Sequence, residues 1–198
     1  MANLRFDSEI VLENDRVRLS PLLSEHVEKL LEVATRDPEL LKFSPSAVYN
    51  KDLLTSYIDS ALEEKKKQSK YPFVIFDKHV GKYAGSTSFG NISNYDQRLE
   101  IGWTWIGKEF QRTGLNRNCK FLLLSYVFET LHFERVEFKT DSRNLQSRKA
   151  IEQIGATFEG EFRNHSVMSD GFRRNTVYYS ILKDEWEGIK NTVFKALL

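Results

Sequence analysis

The sequence predicts a mixed α/β fold in a single domain. Segments that alternate between polar and apolar residues, as strands do, are interspersed with segments whose apolar residues recur at helical spacing. Their order along the 198 residues is β-α-α-β-β-β-α-β-α-β-β, which predicts a central mixed sheet of seven strands flanked by about four helices. Because a helix connects the strands near residues 99–106 and 135–140, these two strands are expected to be parallel.

The first half of the chain contains a strand, two helices and a hairpin. Arg16–Ser20 alternates as a strand does, and Ser24 is predicted to cap the helix that follows. Lys51–Lys67 carries a second apolar stripe at helical spacing and ends in a run of charged residues, interpreted as a solvated helix end. The next two strands are predicted to form a hairpin: Pro72–Phe76 and Lys82–Phe89.

The second half begins with the strand over Leu99–Ile106. Its alternation predicts that Trp103 and Trp105 share one face and that Glu100 lies on the other. The remaining predicted elements are a helix after Gly114, a strand over Arg135–Thr140, a helix capped by Asn144 and ended at Gly155, strands over Ala156–Arg163 and Asn175–Leu182, and a final helix over Asp184–Leu198.

Composition predicts a soluble intracellular protein. The chain is 40% hydrophobic, which suits one sizeable core, and 29 Lys and Arg against 28 Asp and Glu give a net charge of +1. A nucleic-acid surface would need a basic excess, so no nucleic-acid partner is expected. One cysteine allows no intrachain disulfide, and neither a signal peptide nor an apolar run of membrane length is evident. We therefore expect a cytoplasmic location and no membrane partner.

A glycine turn in front of a helix predicts an anion site. The turn contains Gln111, Arg112, Thr113 and Gly114, and the helix follows directly. The first N–H groups of a helix have no partner within the helix and attract anions. Arg112 and Arg117 add positive charge beside them. This chemistry suits a pyrophosphate, and therefore a ligand that carries a nucleotide.

Several motifs, in order, resemble the GNAT superfamily of acetyl-CoA-dependent N-acyltransferases, and most of all its branch of ribosomal-protein N-terminal acetyltransferases. Residues 111–116 (QRTGLN) are similar to the acyl-CoA signature Gln/Arg-x-x-Gly-x-Gly/Ala, except that Asn116 replaces the small residue. Residues 100–103 (EIGW) and 144–156 resemble the strand before that turn and the N-x-x-S-x-x-A-I-E-x-x-G segment. The resemblance implies a GNAT domain over residues 12–184, with 185–198 as a C-terminal helix or tail.

The resemblance also implies where acetyl-CoA would bind. In this fold the two parallel strands splay apart, and pantetheine lies in the gap, paired with backbone near Trp105 and Ile106. Pyrophosphate would rest on the glycine turn, Asn144 would bond to pantetheine, and Ser147 would lie near the thioester sulfur. The residues implied to bind acetyl-CoA are Trp105, Ile106, Gln111, Arg112, Thr113, Gly114, Leu115, Asn116, Asn144 and Ser147.

Acetyl transfer to an amine needs a base for the ammonium proton and a proton for the leaving thiolate. Glu100, on the strand that borders the gap, is the predicted base, and Glu159 is a weaker candidate. Many GNAT enzymes place a tyrosine as the general acid on the last helix, where this chain has Ile151. Ser147 is the nearest hydroxyl and is predicted to protonate the thiolate or to orient the thioester. A serine that only bonds to backbone is the alternative.

Two further residues are weighed as site candidates. Cys119 lies on an apolar helix stripe and is predicted to be a core residue rather than a nucleophile. His165, near the closing strands, is a candidate for the acceptor mouth. The four histidines lack metal-ligand spacing, so no metal is expected.

The sequence therefore predicts an N-acetyltransferase that moves an acetyl group from acetyl-CoA to a primary amine by direct attack in a ternary complex. The acceptor is a protein N-terminus or a small-molecule amine, and homodimer formation is left open. One alternative is a CoA-binding or regulatory module without turnover, which Ile151 and Asn116 favour. A nucleotide-phosphate hydrolase or kinase is disfavoured, because the chain has no G-x-x-x-x-G-K-[ST].

Overall fold

The computed structural model describes residues 3–168 and 170–198, in which eight strands form one mixed sheet. The strands are β1 (Leu12–Glu13), β2 (Val17–Pro21), β3 (Lys70–Asp77), β4 (Lys82–Ser93), β5 (Arg98–Ile106), β6 (Arg135–Asp141), β7 (Thr157–Val167) and β8 (Arg173–Leu182). Their order across the sheet is β1-β2-β3-β4-β5-β6-β8-β7. Of these neighbouring pairs, β5 and β6 are parallel, as predicted, and the others are antiparallel.

Five α-helices accompany the sheet in the described ranges. They are α1 (His26–Thr35), α2 (Lys51–Lys66), α3 (Leu115–Ser125), α4 (Leu145–Glu152) and α5 (Lys183–Thr192). A π-helical turn, Tyr126–Thr130, continues α3 toward β6. Within the two described ranges, no helix is both long enough and apolar enough to cross a bilayer.

Helices cover both faces of the sheet. Tyr57 of α2 packs edge-on against Trp105, with ring centroids 6.4 Å apart, whereas Tyr126 after α3 stacks on Phe89 at 6.1 Å. Trp105 pairs with Ser86 of β4. Because side chains alternate along a strand, residues 86 and 89 of β4 point to opposite faces. We refer to these as the α2 face and the α3 face.

The parallel pair β5 and β6 separates shortly after it begins. The ladder runs from Arg98 opposite Arg135 to Glu100 opposite Glu137, three residue pairs in all. Beyond Glu100, β5 stays paired with β4 on its other side, and β6 stays paired with β8 as far as Asp141. A wedge-shaped gap therefore opens between β5 and β6, as the resemblance implied.

Two details of the N-terminal half differ from the prediction. The sheet has eight strands rather than seven because β1, only two residues long, is too short to show an alternating pattern. Ser24 does not cap α1, because the N-cap position is Glu25, whose side chain makes no capping hydrogen bond. Instead, the backbone N–H of Leu23 donates to Nδ1 of His26 at 2.9 Å.

A β-bulge interrupts β5 at Trp103. On β4 the paired residues advance from Ser86 to Ser88, while on β5 they advance from Trp105 to Gly102, so β5 contains one extra residue. Trp103 takes up this residue with a φ of 51°, which is rare for a bulky side chain. The bulge therefore shifts the alternation of every later residue of β5.

The predicted alternation of β5 is wrong for this reason. Ile101 pairs with Phe89 and faces α3, so Glu100 lies on the α2 face. Trp105 lies on the same α2 face as Glu100, not on the opposite one. Thr104 instead turns to the α3 face, where its hydroxyl lies next to α3.

The C-terminal segment packs into the same core. Trp186 of α5 is 4% exposed and lies against Phe121 and Phe128, with ring centroids 6.4 and 5.6 Å away. Its indole N–H donates to Glu129 at 2.8 Å. The helix predicted over residues 184–198 ends at Thr192, and it accounts for five helices rather than about four.

Candidate functional site

The candidate site is the gap between β5 and β6 together with the glycine turn beside it. On the side that faces β6, the backbone of β5 beyond Glu100 has no partner strand among the described residues. Such an edge can pair with an extended ligand in the way that an added strand would. The turn before α3 lies directly after β5, so one segment of chain contributes both features.

The glycine turn has the geometry of an anion site. Gly114 is the N-cap of α3 with a φ of 86°, and Arg112 has a φ of 60°. Thr113 holds the turn, because its hydroxyl donates to the Phe110 carbonyl at 2.7 Å and accepts from Arg16 at 3.3 Å. The N–H groups of the first turn of α3 lack acceptors within the helix and are directed out of its N-terminus.

A pair of glutamines spans the mouth of the gap. Gln111 Nε2 donates to the carbonyl of Ile106 at 2.9 Å, and Gln146 Nε2 of α4 donates to Gln111 Oε1 at 3.0 Å. These bonds join the end of β5 to the start of α4. Gln111 thus occupies a backbone carbonyl that the resemblance assigns to pantetheine, so a ligand in the gap would compete for it.

Asn116 carries an unsatisfied polar atom in the phosphate turn. Its Oδ1 is buried and has no hydrogen-bond partner among the residues described. A buried amide without a partner costs free energy unless a ligand or water completes it. Rotation of the amide would point its N–H₂ outward instead, where it could donate to a phosphate.

Asn144 and Ser147 lie together at the start of α4. Asn144 is the N-cap, as predicted, and its Oδ1 accepts from the backbone N–H of Ser147 at 3.0 Å. The capping bond uses the amide oxygen and leaves the Nδ2 group of Asn144 to donate elsewhere. Ser147 is half-buried, and its hydroxyl makes no hydrogen bond to a described residue.

Glu100 lies at the point where the two strands separate. It is 6% exposed, and its Oε2 accepts from Lys139 of β6 at 2.9 Å and from Asn91 of β4 at 2.6 Å. Its Oε1 extends over Gly102, where an added Cβ would lie 2.8 Å from it. The carboxylate is therefore held across the apex of the gap, with one oxygen directed along β5.

Lys139 is the cationic partner of this site. Burial alone would lower the pKa of Lys139, but the charge and hydrogen bond of Glu100, with Tyr178 and Glu137 nearby, raise it above the ordinary value. The ammonium also lies 3.5 Å from Glu137 and 4.9 Å from the ring centroid of Tyr178. Lys139 therefore stays charged and fixes Glu100 on the α2 face.

Glu159, the weaker candidate base, is engaged elsewhere. Both of its oxygens pair with Arg135, and Ser180 donates to Oε1 at 2.8 Å. The hydrogen bond from Arg135 is the main reason why the pKa of Glu159 lies below its ordinary value. It pairs at the closed end of the gap, where β5 and β6 are joined, and a carboxylate so held is a poor base.

Lys120 of α3 is buried beneath the gap. Its side chain is 6% exposed, and burial lowers its pKa from 10.5 to about 8. Nζ donates to the hydroxyl of Thr104 at 2.9 Å, and that hydroxyl lies 2.7 Å from the hydroxyl of Thr87. No carboxylate of a described residue forms an ion pair with it.

The remaining candidates lie outside the gap. Cys119 is fully buried, and burial raises the pKa of its thiol to about 12, which agrees with the predicted core role. His165 lies on β7 with its ring 5.4 Å from Phe162, beside an open depression of about 630 Å³. Ile151 is 7% exposed and belongs to the core.

Sequence reasoning missed three polar members of this site. Lys139, Asn91 and Lys120 lie on three separate elements, and only the folded sheet brings them to the gap. Lys120 carried a weak signal, since it stands four residues before Leu124 and directly after Cys119 on the buried side of α3. A lysine at such a position is unusual because its charge must be desolvated.

Comparison with known proteins gives the family. Residues 16–157 match the family model of the acetyltransferase (GNAT) domain. The chain belongs to the GNAT acetyltransferase family. The splayed strands and the glycine turn are thus those of a GNAT domain, and the family uses acetyl-CoA as co-substrate.

Individual GNAT proteins extend this result. Over 110 residues the chain is 37% identical to YdaF of Bacillus subtilis (strain 168), a candidate ribosomal N-acetyltransferase; the match covers 56% of this chain and 59% of YdaF. The crystal structure of a GCN5-related N-acetyltransferase from Brucella melitensis superposes with a TM-score of 0.90 at 27% identity, covering 100% of this chain and 90% of that one. An acetyltransferase-family structure from T. thermophilus gives 0.86 at 33% identity, covering 95% and 97%. The resemblance to the ribosomal-protein branch is thereby confirmed.

Proposed function

We propose that this protein transfers the acetyl group of acetyl-CoA to a primary amine by direct attack in a ternary complex. The observation that carries the proposal is the gap between β5 and β6, open at its side to the glycine turn of α3. An extended pantetheine and a pyrophosphate need these two features side by side.

The residues present suit acetyl-CoA. The free backbone edge at Trp105 and Ile106 offers the pairing that the pantetheine amides require. The amides of Leu115 and Asn116 and the side chain of Arg112 offer donors to pyrophosphate. Nδ2 of Asn144 is left to bond to the pantetheine arm, because only the oxygen is used in the cap.

Glu100 is the residue that we assign to the acceptor. Its carboxylate, held by Lys139 and Asn91, would bind the incoming ammonium group and take up its proton, directly or through water. Holding both substrates in one gap supplies much of the rate acceleration, since the amine is placed against the thioester carbonyl. The Ser147 hydroxyl lies at the start of α4 and would orient the thioester.

The acceptor would enter from the α2 face. On that face the strands β6 and β8 present polar side chains, among them Lys139 and Tyr178, that α1 and α2 leave uncovered. Arg174 of β8 donates to the carbonyl of Phe43 at 3.3 Å and so holds the α1–α2 loop beside this surface. A flexible peptide end fits an open polar surface, and the name of YdaF also points to a protein substrate.

Two measurements test this function. Calorimetry with acetyl-CoA checks the binding site, and thiol release with a panel of N-terminal peptides, polyamines and amino acids checks transfer. We expect acetyl-CoA to bind and thiol release to depend on a peptide with a free N-terminus. Absence of acetyl-CoA binding would overturn the proposal, and release with small amines alone would overturn the choice of a protein acceptor.

The second candidate is a CoA-binding module without turnover. Its support is Ile151, an apolar residue packed in the core where the family often has its acidic tyrosine. Acetyl-CoA binding without thiol release across the whole panel would favour it.

A further inference from the structure

We propose that Lys120 is the proton donor to the CoA sulfur when the thioester bond breaks, an inference that rests on the proposed function. The established family role of this gap explains why the backbone of β5 is free. It leaves unexplained a buried cation directly beneath the gap. This lysine is neither in the glycine turn nor in the network around Glu100.

The position of Lys120 is defined by both walls of the gap. Nζ donates to Thr104 of β5 at 2.9 Å and lies 5.8 Å from the ring centroid of Phe138 of β6. Phe138 is the first residue of β6 beyond the last parallel pair, and Thr104 directly precedes the backbone assigned to pantetheine. The ammonium thus closes the α3 side of the gap at the level where the arm would end in the thioester.

The surroundings of Lys120 leave its protons available. On α3 its titratable neighbour is Cys119, whose thiol stays protonated because burial raises its pKa to about 12. β4 and β5 present Thr87 and Thr104, and β6 presents Phe138. Glu100 and Lys139 pair with each other on the opposite face. An ammonium group has three N–H donors, and Thr104 accepts one of them.

The hydroxyl pair fixes the direction of this contact. Because Thr104 Oγ1 accepts from Lys120, its own hydrogen is free to donate to Thr87 Oγ1, 2.7 Å away. The chain Lys120, Thr104, Thr87 therefore holds the ammonium in place without neutralising it. A carboxylate in the same place would instead keep the proton on the lysine and make it a weak acid.

The proton balance of the step is complete. As the amine nitrogen bonds to the carbonyl carbon, the C–S bond breaks and its electron pair stays on sulfur. One N–H proton of Lys120 moves to sulfur and gives CoA thiol and a neutral amine. The proton lost by the acceptor is released through Glu100, and Lys120 regains one from solvent. A lysine with a pKa of about 8 is well matched to an alkyl thiol, with a pKa of about 8.5.

The decisive test compares CoA with desulfo-CoA, which lacks only the sulfur atom. Calorimetry of the full-length protein should show CoA binding about tenfold more tightly than desulfo-CoA, because the ammonium contacts the sulfur. In Lys120→Met this ratio should fall to about one, while desulfo-CoA binds as in the native protein. Lys70→Met, which removes another buried lysine outside the gap, should keep the native ratio.

Lys120→Arg separates charge from proton transfer. Arginine keeps the cation but does not release a proton, so CoA should retain most of its preference while turnover stays low. Thiol release by the native protein should also decline as the pH rises above about 8, and Lys120→Met should lack that decline.

Three results would overturn the proposal for Lys120. They are equal binding of CoA and desulfo-CoA to the native protein, a ratio that survives in Lys120→Met, and full turnover in Lys120→Arg. In each case acetyl-CoA binding and the proposed function still stand. If neither ligand binds to the native protein, the proposed function itself fails.

Discussion

Glu100 is the residue on which the acceptor half of the account depends. The variant Glu100→Gln keeps the shape of the side chain but removes its charge and its ability to take up a proton. We expect kcat to fall about 100-fold or more, with the affinity for acetyl-CoA little changed. Steady-state thiol release and calorimetry measure the two quantities.

Glu137→Gln is the matched control. Glu137 also contacts Lys139, at 3.5 Å, but it stands where β5 and β6 are still paired. We expect its kcat to stay within a few-fold of the native value. Equal losses in the two variants would mean that Lys139 needs any carboxylate partner, and that Glu100 has no role of its own as a base.

Lys120 makes a second prediction, on stability. The lowering of its pKa from 10.5 to about 8 corresponds to a free energy of unfolding lower by about 3 kcal/mol at pH 7. Between pH 8 and 10.5 the unfolded chain binds a proton that the folded protein has lost, so native stability rises with pH there. Lys120→Met should therefore be more stable than the native protein at pH 7, and the difference should shrink toward pH 10.

Urea unfolding of both proteins across this pH range measures the effect. Other ionisable groups are common to the two proteins, so the difference between them isolates Lys120. A difference that is constant from pH 7 to 10 would show that the lysine is not desolvated as described.

At the scale of elements, the glycine turn is the part most open to a clean experiment. Gly114 has a φ of 86° and open space around its Cα, so Gly114→Ala strains the backbone without a clash. The strain, about 1–2 kcal/mol, is relieved only if the amides of the turn rotate away from the anion position. Calorimetry should then show acetyl-CoA binding weakened about tenfold.

Gly81→Ala provides the comparison. Gly81 lies in the turn between β3 and β4, with a φ of 66° and equally open space. It should lose similar stability and keep the native affinity for acetyl-CoA. If both variants bind equally well, the turn before α3 does not hold the phosphates.

How far the sequence predicted each element depends on the length and regularity of its pattern. The parallel strands and the helix capped by Asn144 follow from alternation and from capping chemistry. The bulge at Trp103 carries no sequence signal, because an extra residue in one strand is set by its pairing with β4. That single residue reverses the predicted faces of Glu100 and Trp105 relative to each other.

The same contrast applies to the site. Short motifs located the turn at residues 111–116 and the start of α4, because each lies within one segment of chain. Lys139 and Asn91 could not be predicted, since each reaches Glu100 from a different strand. Contacts between residues distant in sequence are fixed by sheet register, which depends on the whole fold.

At the scale of the whole molecule, the sheet consists of two parts joined along a short seam. Strands β1 to β5 form one part and β6 to β8 the other, and three parallel residue pairs connect them. A ligand that pairs with β5 in the gap would extend this seam. Ligand binding to the folded state alone should also raise its stability.

Amide hydrogen exchange with and without acetyl-CoA tests the central claim most directly, because it maps the ligand onto the backbone. We predict slower exchange at Trp105 and Ile106 and in the first turn of α3, with little change in β1 and β2. Exchange that slows elsewhere and leaves both of these segments unchanged, although acetyl-CoA binds, would contradict the placement of acetyl-CoA between β5 and β6.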